Sequence, residues 1–280
     1  MNNEVFLIVI FAAFLHASWN ALVKNHEDKY LGLSAIVFGQ VPIAIILIFY
    51  VPFPSLESLP YLILSAFIHN GYYFFLLSSY RFGDYSVVYP ISRGFAVILI
   101  AIVSLILFAV KLSYFELTGI LIVCVGIFSL SFQNSTRLKN YKGIIYSLAT
   151  GVFIMSYSLV DGYGARINGS FLSYMAYLFP IEGLLFLILL NLIKKREIIK
   201  KIIKNSKFSF FVGGTISSLV YILIVWAFTK APIPLITTLR ETSIIFALII
   251  GAIFLKEKFT SLKIFAVLSI FFGVVFLKFF

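Results

Sequence analysis

The sequence predicts an all-α integral membrane protein of ten transmembrane helices, built as two inverted five-helix repeats. Three observations carry that prediction. Of the 280 residues 61% are hydrophobic and only 12% charged, with a mean hydropathy of +1.06; a watery surface needs about twice that share of charge. Ten apolar stretches each reach the roughly 20 residues that cross a hydrocarbon core. The second half of the chain also repeats polar and special residues of the first half in register.

This composition excludes a soluble enzyme, a nucleic-acid-binding domain and a disordered chain, because too few polar residues exist to cover a soluble core. The net charge of +11 then reads as cytoplasmic loops rather than affinity for nucleic acid. The single cysteine, Cys124, lies in an apolar run and permits neither a disulfide nor a cysteine-based metal site. No histidine pair has zinc-ligand spacing, and no phosphate-binding glycine loop or serine elbow occurs; no cofactor, no metal and no enzyme activity are expected.

The spans follow in order. The first, residues 4–23, lacks the basic start of a signal peptide and reads as a retained helix; it ends at Lys24 to Lys29. The second, 31–51, stops at Pro52-Phe53-Pro54, and the third, 60–80, at Gly83-Asp84. Spans four (84–109) and five (113–132) are divided by Lys111 to Ser113. Gln133 to Asn140 separates span five from span six (141–161), and Asn168-Gly169 precedes span seven (170–193). The basic segment Lys194 to Lys207 leads to span eight (208–229). Lys230 to Pro232 opens span nine (231–255), and Lys256 to Lys258 precedes span ten (260–278). Connections are short, so neighbours run antiparallel.

A shift of 147 residues aligns Arg93 with Arg240, Lys111 with Lys258, Gly126 with Gly273 and Leu130 with Leu277. A shift of 138 aligns Ser18 with Ser156, Trp19 with Tyr157 and Pro42 with Pro180. Five spans per half is odd, so residues 1–137 and 138–280 have opposite orientation, the architecture that secondary transporters use to hold substrate near the midplane. Sixteen of the 22 Lys and Arg fall in the loops after odd-numbered spans, against Lys111, Arg166, Lys230 and Lys278 on the other side. The positive-inside rule makes the first side cytoplasmic and both termini external.

Specific residues add a resemblance. Leu15-His16-Ala17-Ser18-Trp19-Asn20-Ala21-Leu22-Val23-Lys24, Val160-Asp161-Gly162-Tyr163-Gly164-Ala165-Arg166, Leu239-Arg240-Glu241-Thr242-Ser243 and Phe254-Leu255-Lys256-Glu257 resemble motifs of the EamA family of the drug/metabolite transporter superfamily. The likeness covers nearly the whole chain, although Val110 stands where the first half would carry the counterpart of Glu257. It implies a ten-helix transporter of small organic metabolites or drugs, often outward, with the last helices of each half in contact. Many relatives are drawn with cytoplasmic termini; the charge count places them outside, and the count is retained.

Ionisable groups inside spans are the informative candidates. Each costs about 2.5–3.5 kcal/mol at the bilayer centre, so Arg93, Glu182, Arg240 and Glu241 must pair or face a wet cavity. Arg93 and Arg240, at equivalent repeat positions, could grip a carboxylate or phosphonate by forked hydrogen bonds; the competing reading is a structural pair, Arg240 with Glu182 or Arg93 with Glu241. Glu182, Glu241 and Asp161 are the candidates for proton coupling. His16, Trp19, Asn20, Tyr72, Tyr73 and Tyr157 complete the expected solute site, with His69 beside them; the competing reading for the rings is lipid packing. Pro42, Pro90 and Pro180 read as loosened turns lining a cavity, the competing reading being prolines of the kind membrane helices ordinarily tolerate. Gly119 and Gly126, matched by Ala266 and Gly273, read as close helix packing, and Lys194 to Lys207 as an amphipathic helix on an anionic leaflet.

The expectation is a multi-pass cell-membrane transporter, an exporter of a small anionic metabolite by alternating access, with a proton or counter-solute as co-substrate, lipid as its surroundings and a homodimer as one permitted assembly. The alternative is a membrane sensor or scaffold that binds lipid or a partner without flux. An aspartate pair, Asp84 with Asp161, is the remaining enzyme reading, an intramembrane protease. The topology is testable: a cysteine placed in the Lys194 to Lys207 loop should resist an impermeant thiol reagent in intact cells, and one at Phe280 should react. Ready labelling of the loop overturns the assignment.

Overall fold

The computed structural model describes residues 1–24, 28–132, 141–193, 197–254 and 259–279. No strand occurs among them, as the bilayer requires of any form other than a closed barrel: helices satisfy their backbone polar groups internally. The helices are α1 (Asn3–Lys24), α2 (Lys29–Ile48), α3 (Leu59–Phe82), α4 (Tyr85–Ile106), α5 (Tyr114–Ser131), α6 (Tyr141–Asn168), α7 (Phe171–Leu192), α8 (Glu197–Asn205), α9 (Gly214–Lys230), α10 (Ile233–Arg240), α11 (Ser243–Phe254) and α12 (Ser261–Phe279). A π-helical turn, Ser209–Gly213, runs into α9. Ten spans long and apolar enough to cross a membrane result, as expected.

Polar residues at the breaks start the helices. Asp28 accepts hydrogen bonds from the backbone N–H of Tyr30 and Leu31 at the start of α2. Ser113 and Glu116 form a reciprocal capping box at α5, each side chain accepting from the other's backbone N–H (3.2 and 2.7 Å). Gly169, at φ +73°, ends α6 in the left-handed region, and Ser170 then caps α7 through the Ser173 N–H.

Three expectations are corrected. Helices α2, α4 and α7 continue through Pro42, Pro90 and Pro180; the break lies in span nine, at Glu241-Thr242. There Thr237, Thr238 and Thr242 hydrogen-bond back to carbonyls of their own helix, which bends helices, and the turn closes by bonds from Glu241 N to Thr238 O and Thr242 N to Leu239 O. Span six runs on to Asn168, so Asp161 is seven residues inside its helix and fully buried. The basic segment does hold an amphipathic helix, α8, but Ile198 and Ile202 pack on the bundle with Leu31, Ala35, Phe186 and Leu190. Lys200, Lys201 and Lys204 face outward. Residues 194–196, like Glu257 and Phe280, lie outside the described residues.

The bundle is held by close backbone contact. Helix α5 packs along α12, α3 along α6, α2 along α7, and α1 along α9 and α11; α4 packs on α5 and α6. A Cβ on Gly273 would stand 2.5 Å from Val123 Cγ2, one on Gly119 2.8 Å from the Gly273 carbonyl oxygen, and one on Gly126 2.8 Å from Ser269 Cβ. The small-residue stripes of spans five and ten thus face one another, as expected. A second close contact was not read from the sequence: a Cβ on Gly39 would lie 2.0 Å from the Phe210 carbonyl oxygen, and one on Gly214 2.5 Å from Gly39 Cα. Many of the phenylalanines, among them Phe11, Phe67, Phe271 and Phe272, point outward, as a lipid-facing surface demands.

Gly273→Val should therefore force α5 and α12 apart and cost about 1–3 kcal/mol, read as a lower thermal midpoint in detergent by circular dichroism. Phe272→Leu, on the outer face of α12, is the control and should leave the midpoint unchanged. Equal midpoints for both variants would refute the close contact.

Candidate functional site

Spans one to four and six to nine enclose a cavity of about 370 Å³, within the size range of small-molecule sites. It runs from mid-depth to the α3–α4 turn, where Tyr85, 42% exposed, stands at the mouth. All eight residues expected to bind solute line it: Arg93, Arg240, Trp19, Asn20, His16, Tyr72, Tyr73 and Tyr157. Glu182 lines it as well. Glu241 and Asp161 are not among the lining residues.

The two arginines have different fates. Arg93 is buried on α4 and makes a forked pair with Glu241, Nε donating to Oε2 at 3.0 Å and Nη2 to Oε1 at 2.6 Å. The broken turn of span nine is what delivers Glu241 to it. Arg240, only 6% exposed, meets no such carboxylate among the described residues. Its Nη2 donates to the Tyr157 hydroxyl at 3.5 Å, a long contact, and its Nε has no partner. The 147-residue register explains the difference: Glu241 falls opposite Gly94, so the first half has no acid to return to Arg240. The alternative pair, Arg240 with Glu182, does not form; the Tyr73 hydroxyl donates to Glu182 Oε1 instead.

Asp161 is held one turn beyond Tyr157 on α6. It accepts from the hydroxyls of Tyr174 (3.1 Å) and Tyr221, and His69 Nε2 lies 3.9 Å away. The other ring nitrogen of His69 meets the Ser65 hydroxyl and carbonyl. His69 stacks on Tyr157, with ring centroids 4.3 Å apart and planes 21° apart, which ties this buried group to the cavity wall. The aspartate pair of a protease is not assembled. Gly83, beside Asp84, touches Gly143 on α6, and Asp161 lies 18 residues further along that helix, about 27 Å at 1.5 Å per residue.

The wall is aromatic in a selective way. Tyr72, Tyr73, Tyr80, Tyr85, Tyr89, Tyr157 and Tyr221 line the cavity, whereas Phe179 is its one lining phenylalanine, in a chain of 16 Tyr and 32 Phe. Sequence reasoning missed Tyr80, Tyr85, Tyr89 and Tyr221, and also Gln40 and Ser217, which hydrogen-bond across the cavity at 3.0 Å. A signal for two of them was present: Tyr85, Tyr89 and Arg93 recur at i, i+4 and i+8, one face of span four.

Buried polar atoms without a partner complete the site. Of those found, Trp19 Nε1 and Arg240 Nε belong to cavity-lining residues, and both are N–H donors. The cavity thus offers a fixed positive charge and two unanswered donors inside a tyrosine-rich wall, an arrangement suited to an acceptor-rich, anionic guest.

No curated protein matches the sequence. A crystal structure of another protein superposes over 99% of this chain and 98% of its own length, with a TM-score of 0.75 at 16% sequence identity, a likeness of fold. The family model of the EamA-like transporters matches residues 141–279. Through this second half, with the ten spans and central cavity around it, the chain belongs to the EamA-like transporter family, part of the drug/metabolite transporter superfamily.

Proposed function

We propose that this multi-pass membrane protein exports a small organic solute across the cell membrane, holding the solute's anionic group at Arg240. The observation that carries the reading is the guanidinium of Arg240, buried within span nine without a carboxylate partner among the described residues. A buried charge in a membrane helix is costly unless it is answered, and the cavity is where an answer can arrive. Trp19 Nε1 is a second unpartnered donor on the wall of the same cavity. Arg93 is the structural arginine of the two, locked to Glu241.

Alternating access of two inverted halves, residues 1–137 and 138–280, is supported by the packing. Exchanging span k with span k+5 maps the contact of α3 with α6 onto that of α9 with α1, and the contact of α4 with α6 onto that of α11 with α1. It maps α5–α12 and α2–α7 onto themselves. The cavity lining reaches Tyr80 and Tyr85 at the α3–α4 turn, on the side that carries most of the Lys and Arg, the cytoplasmic side by the charge rule, which supports loading for export. Contacts tie the helices at the opposite end: Arg166 donates to the carbonyls of Phe228 and Ala231, Asn168 accepts from Ser55 and Ser58, and Phe108 stacks on Tyr163 at 4.3 Å.

For coupling, of the three candidate carboxylates Glu182 and Asp161 pair with no arginine among the described residues, and Glu182 lines the cavity. We assign Glu182 as the proton-carrying group, with Tyr73 as its hydrogen-bond partner.

The experiment is binding and flux with purified protein. Organic acids are screened by thermal shift, and the best is used for affinity and for uptake into liposomes. Arg240→Gln should fold normally and lose roughly 10- to 150-fold in affinity, the worth of about 1.5–3 kcal/mol for a charge-assisted contact. Lysine at this position should restore only part, since it lacks the fork. Arg93→Gln should instead lose about 3–5 kcal/mol of stability by stranding a buried Glu241, and Glu241→Gln added to it should recover the fold. Wild-type affinity in a stable Arg240→Gln would refute the site, and saturable binding without flux would make the protein a sensor.

A second measurement addresses coupling. Solute accumulation driven by a pH gradient in liposomes should occur with wild-type protein and vanish with Glu182→Gln, while exchange of labelled for unlabelled solute persists. Gradient-driven accumulation by Glu182→Gln would remove Glu182 from that role.

A further inference from the structure

We infer that the solute is an aromatic acid of about two fused rings: a flat π-system bound among the tyrosines, with one anionic group on Arg240. This rests on the anion site proposed above and adds the chemistry of the rest of the guest.

The first support is the choice of ring. Tyrosine is half as frequent as phenylalanine in this chain, yet the cavity takes seven tyrosines and a single phenylalanine. The hydroxyls of Tyr73, Tyr157 and Tyr221 already serve Glu182, Arg240 and Asp161; if Tyr72, Tyr80, Tyr85 and Tyr89 were there only to exclude water or fill space, phenylalanine would serve without a hydroxyl to satisfy. A tyrosine offers a π-face and a polar edge together, which matches a guest that is flat and polar at its rim. A saturated, lipid-like solute would need neither.

The second support is their order. The rings make two runs, one near the α3–α4 turn and one deeper: Tyr80 lies 5.1 Å from Tyr85, and Tyr85 stacks on Tyr89 at 5.0 Å and 15°. Arg93 sits 6.0 Å over Tyr89. At mid-depth Tyr72 meets Tyr157 edge-on at 5.5 Å and 74°, and Tyr157 touches Arg240. Centroid spacings and angles of this kind are the favourable aromatic geometries, so a guest ring can exchange one neighbour for the next on its way to the guanidinium. Volume bounds the size: about 370 Å³ is at the small end of small-molecule sites, with room for two fused rings and a carboxylate.

An aromatic cage can also hold an organic cation, and Glu182 lies in this wall. The unpartnered atoms decide between the two. The lining orphans are donors, on Trp19 and Arg240, whereas Glu182 already accepts from Tyr73. The guest brings acceptors.

The test compares four probes on the full-length protein in detergent by titration calorimetry: 2-naphthoate, its saturated counterpart decahydro-2-naphthoate, neutral 2-naphthamide and cationic 2-naphthylmethylammonium. We expect 2-naphthoate to bind about 10-fold tighter than the saturated acid, the worth of one to two ring–ring contacts, and at least 10-fold tighter than the amide. Tyr72→Leu should narrow the gap between the two acids, and Tyr89→Leu near the mouth serves the same purpose if the first variant does not fold. Equal affinity for the two acids would overturn the aromatic assignment and leave the anion site standing. Preference for the amide or the cation, or no binding of either acid, would overturn both.

Discussion

An arginine at the centre of a membrane helix costs about 2.5–3.5 kcal/mol on the insertion scale, and this bundle keeps two, Arg93 and Arg240, at mid-depth. Much of the molecule's irregular structure follows from how each is answered. For Arg93 the answer is Glu241, which reaches it because span nine breaks at Glu241-Thr242. That forked pair spans the two halves, joining α4 to the turn between α10 and α11. Arg240 meets no carboxylate among the described residues, and its Nε remains unsatisfied. Its side chain lines the cavity instead, so the two arginines are answered in different ways.

Lipid supplies no hydrophobic drive between helices, so the walls of the cavity must be held by close packing. Glycines do this on several sides. Gly39 meets the backbone at Phe210 and Gly214, which brings α2 against the start of span eight and places Gln40 beside Ser217. Gly71 admits the Phe153 ring between α3 and α6, and Gly151 admits the Ser92 carbonyl between α4 and α6. Spans five and ten zip together through Gly119, Gly126 and Gly273, away from the cavity. The tight seams surround a space whose lining is aromatic and polar, and the seams let that space persist.

The polar groups beneath the cavity form a second layer. Asp161 gathers Tyr174, Tyr221 and His69 from three other helices, and His69 carries that order to Tyr157 by stacking. Tyr157 is the one described side chain that Arg240 touches by hydrogen bond. The orientation of the free guanidinium therefore rests on a network anchored at a residue outside the cavity wall. Buried networks of this kind hold one arrangement when fully satisfied, which suits a site that must present two donors at fixed positions.

The sequence by itself determined the environment, the ten spans and the set of residues to watch, because these depend on local quantities: apolar length, turn residues at the breaks, and charges too costly to sit in lipid without purpose. The eight candidate residues that line the cavity were legible for that reason, and the matching glycines of spans five and ten were legible as a spacing. Which acid would meet which arginine was not, since Glu182 and Glu241 are equivalent in charge and adjacency misleads: Glu241 adjoins Arg240 in the chain yet pairs with the distant Arg93. The break in span nine was hidden too: the prolines drew attention to spans two, four and seven, while the bend came from threonines that bond to their own helix. The contact of Gly39 with Gly214 and the four further tyrosines needed helices that are distant in sequence to be placed side by side. Tertiary structure decided these points because pairing, bending and lining depend on what lies across the gap, and the neighbour across a gap is set by helix packing, not by position along the chain.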